Sequence, residues 1–200
     1  MTTPIYSFKR LCVFCGSSPG DNPVYSEAAK HAGAELARRG IALVYGGGRV
    51  GLMGMVADAV LAAGGHVTGV IPEALMAKEV GHRGLPDLRV VKTMHERKAL
   101  MAELSDGFVA LPGGFGTFDE FFEIVTWAQL GLHSKPCGLL NVNGFYDPLL
   151  GLVDRAIEER FIKPKQRDLI VVESEFGALL NRMAHQHVPH EPKWISKETI

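Results

Sequence analysis

Gly107-Phe108-Val109-Ala110-Leu111-Pro112-Gly113-Gly114-Phe115-Gly116-Thr117 is the stretch whose reading decides the fold. Its first five residues are continuously apolar and too few for a helix, the pattern of a strand buried on both faces of a parallel sheet. Three glycines in four positions then break the strand. From Thr117 the apolar residues Phe118, Phe121, Ile124, Val125 and Ala128 recur at helical spacing to about Leu130. Strand, glycine loop and helix in that order form one unit of an open α/β sheet.

Outward from this unit the same grammar repeats. Leu11–Gly16 reads as a strand, and Asn22-Pro23 opens a helix with Asn as cap and Pro at its first position, running to Arg39 before Gly40. Ile41–Tyr45 is a strand, Gly46-Gly47-Gly48 a loop, Gly51–Ala63 a helix and His66–Ile71 a strand. Pro72–Pro86 is irregular. Leu88–Val91 is a strand, and Thr93–Ser105 a helix opened by a Thr93-x-x-Glu96 capping box. Cys137–Asn141, a helix around Pro148–Glu159, Leu169–Val172 and a helix Glu175–His185 complete the series. The expectation is an α/β, Rossmann-like, doubly wound parallel sheet with helices on both faces. One nucleotide-binding domain spans 1–200, with its core at about 10–185 and a surface tail over 188–200.

Composition narrows the function. Hydrophobic residues are 46% and charged residues 22%, as in ordinary globular chains. Twenty-one Lys and Arg balance 22 Asp and Glu, so nucleic acid and polybasic membrane anchoring are not expected. No apolar run approaches a membrane span and Met1–Arg10 does not read as a secretory signal. Three cysteines fit a reducing cytoplasm. Cys12 and Cys15 are three apart on a strand and face opposite ways, so buried thiols are expected rather than a redox or zinc pair. Glycine is the outlier, at 23 residues.

Those glycines cluster at strand ends, where open α/β sheets bind ligands. Gly46-x-Gly48-x-x-Gly51 matches a dinucleotide fingerprint with Glu73 as the ribose acid, although it follows the second strand rather than the first. Glycines serving only helix-on-sheet packing are the plainer reading. Pro112–Glu120 exposes several backbone amides in one concavity and lacks a Walker lysine, which suits a nucleoside monophosphate or sugar phosphate.

Two charged residues stand out. Arg97 falls inside the Met94, Leu100, Met101, Leu104 stripe, with Glu96 and Glu103 on the opposite face. An inward arginine needs an acid or an anion, and Glu120 is a candidate partner. Glu120, Glu123 and Thr126 form a polar ridge starting at the glycine loop, and Thr117-x-x-Glu120 could equally be a helix cap. Lys98 reads as a solvent-facing or phosphate-steering charge at the stripe's edge. His185-x-His187-x-x-His190 lacks a supporting shell, so no metal is expected.

Pro112-Gly113-Gly114-Phe115-Gly116-Thr117-Phe118-Asp119-Glu120 resembles the P-G-G-x-G-T-x-x-E signature of the LOG ("Lonely guy") family, and Met94-His95-Glu96-Arg97-Lys98 resembles its second signature. Cys15-Gly16-Ser17-Ser18, Tyr45-Gly46-Gly47-Gly48 and Thr126-Trp127-Ala128-Gln129-Leu130-Gly131 look like further family segments. The resemblance runs from about Arg10 to about Met183. It implies a cytokinin riboside 5′-monophosphate phosphoribohydrolase, which releases free base and ribose 5-phosphate and requires no cofactor. It implies Arg97 and Glu120 as catalytic residues. Substrate contacts would come from Ser18, Gly46, Gly47, Glu79, Arg97, Lys98, Gly113, Gly114, Phe115, Gly116, Thr117, Phe118, Asp119, Glu120 and Thr126. Family members often carry a lysine decarboxylase label, yet no lysine here has a recognisable pyridoxal-phosphate setting.

Cleaving a ribosidic C–N bond passes through an oxocarbenium-like state, which a carboxylate such as Glu120 stabilises. Arg97 is too basic to act as a general acid, so its work is electrostatic or positional. The Thr117–Leu130 helix is apolar nearly all round, including Phe122, Trp127 and Leu130, so a homodimer or larger homo-oligomer is expected. Two competing readings are a non-catalytic nucleotide or molybdenum-cofactor carrier on the same fold, and an NAD-dependent oxidoreductase built on Gly46–Gly51.

Overall fold

The computed structural model describes residues 4–76 and 81–189. Glu79, His190 and most of the expected surface tail lie outside the described residues. Seven strands form one parallel sheet: β1 (Arg10–Phe14), β2 (Ala42–Tyr45), β3 (Val67–Pro72), β4 (Asp87–Val91), β5 (Gly107–Ala110), β6 (Cys137–Leu140) and β7 (Ile170–Glu173). Their spatial order is β4-β3-β2-β1-β5-β6-β7. The chain therefore walks outward from β1 to one edge, crosses back, and walks to the other edge. The switch point lies between β1 and β5.

Among the described residues, α-helices α1 (Pro23–Arg38), α2 (Gly51–Ala62), α3 (Glu73–Met76), α4 (Met94–Leu104), α5 (Phe115–Gln129) and α6 (Asp147–Glu158) connect successive strands, and α7 (Phe176–Ala184) follows β7. Right-handed crossovers put α1, α2 and α7 on one face and α4, α5 and α6 on the other. Strand alternation divides the core accordingly. Leu11, Val13 and Cys15 pack under the first group, and Cys12 and Phe14 under the second. The cysteines are free and buried, on opposite faces as their spacing requires. No helix of the described residues is long and apolar enough to cross a membrane.

The expected elements are present, with small shifts. Asn22 caps α1 by accepting from the Val24 amide at 3.1 Å, with Pro23 at the first position. Thr93 caps α4 by accepting from the Glu96 amide, but the Glu96 carboxylate reaches past Thr93 to the Lys92 amide at 2.8 Å. The irregular Pro72–Pro86 segment contains the one-turn helix α3. Helix α5 begins at Phe115 with Gly114 as its cap residue, so Thr117 lies inside the first turn and the Thr117–Glu120 capping box does not form.

Candidate active site

Three loops meet at the C-terminal ends of β1, β2 and β5. The Gly16 amide donates to the Pro112 carbonyl at 3.0 Å, joining the first loop to the third across the switch point. The Leu52 amide donates to the Gly16 carbonyl at 3.0 Å, joining the second. A side chain at Gly51, whose φ is +59°, would collide with the Ser17 backbone. Glycine is needed there for both conformation and contact.

Arg97 enters this junction from α4. Its Nε donates to the Val70 carbonyl at 3.1 Å, and Nη2 to the Gly46 carbonyl at 3.2 Å. Its Nη1 lies 2.8 Å from Glu120 Oε1 on α5 and 3.3 Å from Met94 Sδ. Arg97 and Glu120 are 8% and 9% exposed. The residue singled out as an inward arginine thus ties β3, the end of β2 and α5 together. A side chain at Gly46 would occupy the guanidinium's place. Gly46 is small for Arg97, not for a dinucleotide pyrophosphate. Gly47, with φ +70°, is buried against Ile71 and Leu88, and its carbonyl accepts from the His82 amide. Glu73 is exposed at the start of α3.

Burial pushes the Glu120 carboxyl up, and the nearby Arg97 charge only partly opposes it; the balance is an upward shift. Lys98 departs from expectation. It is buried, with Nζ 3.2 Å from Asp119 Oδ2 and 3.0 Å from Glu123 Oε2. Burial disfavours its charge, but the two carboxylates outweigh that and raise its pKa. Adjacent residues on a helix are both enclosed because α4 packs on the sheet beside α5: Arg97 reaches the carbonyls of the sheet and Lys98 the carboxylates of α5. A lysine that forms a Schiff base must shed its proton, and Lys98 is held in the opposite state. It is the one buried lysine among the described residues.

The rest of the glycine loop is open. Gly113 is packed against Thr117 and the Gly16 amide, whereas a side chain at Gly114 or Gly116 would meet nothing of this chain. Neither needs a left-handed backbone. The first turn of α5 presents amides with no intrahelical acceptor beside that space, which is an anion cradle. Phe115 is 93% exposed at its rim, Thr117 is buried, Asp119 is exposed and Phe118 is half-buried. Ser18 is exposed on the first loop. Thr126 is exposed farther along α5, its hydroxyl donating to the Phe122 carbonyl at 2.7 Å. The expected ridge is therefore divided: Glu120 turns to Arg97, Glu123 to Lys98, and Thr126 to its own helix.

Residues 53–183 match a protein family described as possible lysine decarboxylase. The chain is 50% identical over 192 residues to cytokinin riboside 5′-monophosphate phosphoribohydrolase LOG1 of Arabidopsis thaliana, covering 96% of this chain and 90% of that protein. It is also 50% identical over 190 residues to the probable enzyme of the same name, LOGL2, of Oryza sativa subsp. japonica, covering 95% and 78%. The chain belongs to the LOG family. Other LOG relatives from both plants reach similar identity. Among solved structures, the molybdenum cofactor binding protein of Rippkaea orientalis matches with a TM-score of 0.66, covering 92% of this chain and 96% of that one. At 20% identity, that likeness shows a shared fold alone.

Proposed function

We propose that this chain hydrolyses the N-glycosidic bond of adenosine 5′-monophosphates, N6-substituted ones included, to free base and ribose 5-phosphate. The observation that carries the reading is the buried Arg97–Glu120 pair beside the open Gly114–Gly116 cradle. A nucleotide carrier needs the cradle but has no use for a carboxylate held at its edge. The half-identical relatives named phosphoribohydrolases support the same reading.

The 5′-phosphate lies against the α5 amides at Gly114, Phe115, Gly116 and Thr117, where the helix dipole favours negative charge. Ribose then falls toward Glu120. As the C–N bond lengthens, positive charge develops on the sugar, and the ionised Glu120 stabilises it and orients the attacking water. Arg97 fixes Glu120 and favours its ionised form against the larger effect of burial. Lys98 locks Asp119 and Glu123, which aligns α5 with α4. Ser18 and Thr126 complete the substrate contacts among the described residues. The reaction as written consumes only water.

We further read the protein as a cytoplasmic homodimer or larger. Phe122 and Leu130 stay half-exposed on α5, and Phe115 stands almost wholly exposed at its start. Trp127, expected on the same outer surface, leans partly on the chain's own core.

The test is a product assay. Protein is incubated with AMP and, separately, with isopentenyladenosine 5′-monophosphate, and free base is measured by chromatography with Glu120→Gln as control. Base released by wild type and not by the variant supports the hydrolase. No base from either nucleotide, with AMP still bound, establishes a carrier instead.

A further inference from the structure

Tyr146 is a buried phenol that the proposed reaction does not use. It directly precedes α6 and is 1% exposed. The chain reaches it through a tight turn after β6, with left-handed backbone at Asn143 (φ 52°) and Gly144 (φ 68°). A side chain at Gly144 would also meet the Asp147 carboxylate, so the left-handed backbone and the close contact both favour glycine there. Asn141 staples the turn from inside. Its Oδ1 accepts from the Tyr146 amide at 2.7 Å, and its Nδ2 donates to Asp147 Oδ1 at 2.7 Å.

The phenol held in this way grips the glycine cradle from behind. Its hydroxyl donates to the Leu111 carbonyl at 2.6 Å, one residue before Pro112. Its ring meets the edge of Phe118, in the first turns of α5, with centroids 6.5 Å apart. The two contacts bracket Gly113–Thr117, one ahead of the cradle and one behind it. The entering strand is also fixed by its pairing with β6 and by backbone bonds, among them Leu111 amide to Phe14 carbonyl and Gly16 amide to Pro112 carbonyl. Farther along α5, the Glu120–Arg97 pair, the Asp119 and Glu123 contacts to Lys98 and the buried Phe121, Ile124 and Val125 fix the helix, and Tyr146 adds a tie between the strand end and its first turns. Burial raises the phenol's pKa, so it remains a donor throughout the working pH range.

We propose that Tyr146 is a positioning residue for nucleotide binding, which sets the direction of the α5 amides by gripping Leu111 and Phe118. The proposal rests on the reading of that cradle as the seat of a nucleoside 5′-monophosphate. It is tested with Tyr146→Phe, which keeps the ring and removes the hydroxyl. AMP affinity is measured by calorimetry, KM and kcat by base release, and folding by thermal unfolding.

The expected result is AMP binding weakened roughly tenfold, with KM raised in proportion and kcat nearly unchanged. Phe145→Leu is the control. Phe145 packs edge-on against Tyr146 at 5.0 Å, so its loss lowers the melting temperature without changing AMP affinity. Should Tyr146→Phe not fold, Asn141→Ala reads the same brace through its anchor and is expected to weaken AMP likewise. Unchanged AMP affinity in a folded Tyr146→Phe, or in Asn141→Ala if that variant alone folds, overturns the proposal. Equal weakening by Phe145→Leu also overturns it, since general loosening then explains the effect. A wild type that binds AMP but releases no base sinks only the hydrolase reading, because the affinity comparison needs no turnover. A wild type that binds no AMP overturns both.

Discussion

Arg97 Nη1 stands 2.8 Å from Glu120 Oε1, while the rest of the guanidinium is taken up by the carbonyls of Val70 and Gly46. The arginine thereby has its direction set by the sheet and its charge directed at one acid. A buried pair of this kind loses more from removal of one partner than it contributes as a pair, because the survivor is left uncompensated. Its two members are expected to fail differently: loss of Glu120 removes the reacting group, whereas loss of Arg97 changes the pH at which that group is charged.

The pH dependence follows from the surroundings of Glu120. Its carboxyl titrates above the ordinary glutamate range, with burial the largest cause. If the ionised form reacts, kcat/KM rises with pH through a midpoint above that range. Lys98 pulls the value down and Asp119 pushes it up. Lys98→Met should move the acid limb to higher pH and Asp119→Asn to lower pH. Three superimposable profiles would remove Glu120 as the titrating group.

Gly46→Ala puts a methyl group where the Arg97 guanidinium lies. The arginine must move, and Glu120 with it. Turnover should fall on the order of a hundredfold with the fold retained. Kinetics together with circular dichroism check this, and near-normal kcat would show that the pair tolerates displacement.

Gly116→Ala is expected to do the opposite to stability. Its added methyl meets nothing of this chain and lies within the first turn of α5, so helix propensity favours alanine by up to about 1 kcal/mol. AMP affinity should nevertheless drop at least about tenfold if the phosphate needs that space. A variant that melts higher and binds AMP as before would move the phosphate elsewhere.

Far from the site, Glu35 is lowered to about 2, chiefly by the hydrogen bond from Arg38, with Arg39 adding to it. A depressed carboxyl stabilises the fold above its unfolded value, and that contribution is lost as pH falls toward about 2. Urea midpoints of Glu35→Gln should converge on wild type at the acid end of this window and fall below it near neutrality. A constant gap at every pH would refute the linkage.

The oligomer is read by light scattering over a dilution series. A mass of at least twice 21.7 kDa is expected at micromolar protein. A monomer mass at every concentration would leave Phe122 and Leu130 without a partner surface.

The strands β1, β2, β3 and β5 were legible because each is a short apolar run closed by glycine or proline, and α1 and α4 because each has a recognisable cap. Arg97 was legible for the same kind of reason, as one charge in an apolar stripe. Lys98 was not. It is the next residue on the same helix, a third of a turn away, and its burial depends on carboxylates of α5 that no local pattern brings near. Gly46 was visible as a place for close approach, but a ligand and an arginine leave the same trace in a glycine. Tyr146 gave no sign, since Gly144-Phe145-Tyr146-Asp147 reads as an ordinary turn into a helix.

Helix α4 leaves the sheet at the edge strand β4 and delivers the chain to the middle at β5, passing across β3, β2 and β1 on the way. The partners of Arg97 therefore belong to different stages of synthesis. Val70 and Gly46 precede it, whereas Glu120 follows the crossing. A nascent chain that has emerged only as far as Leu104 has every carbonyl the guanidinium needs and none of the acid that neutralises it. A buried cation without its acid is a poor resting state, so the amino-terminal half has a built-in reason not to close early. The Arg97–Glu120 pair thus closes only when α5 has been added to the sheet.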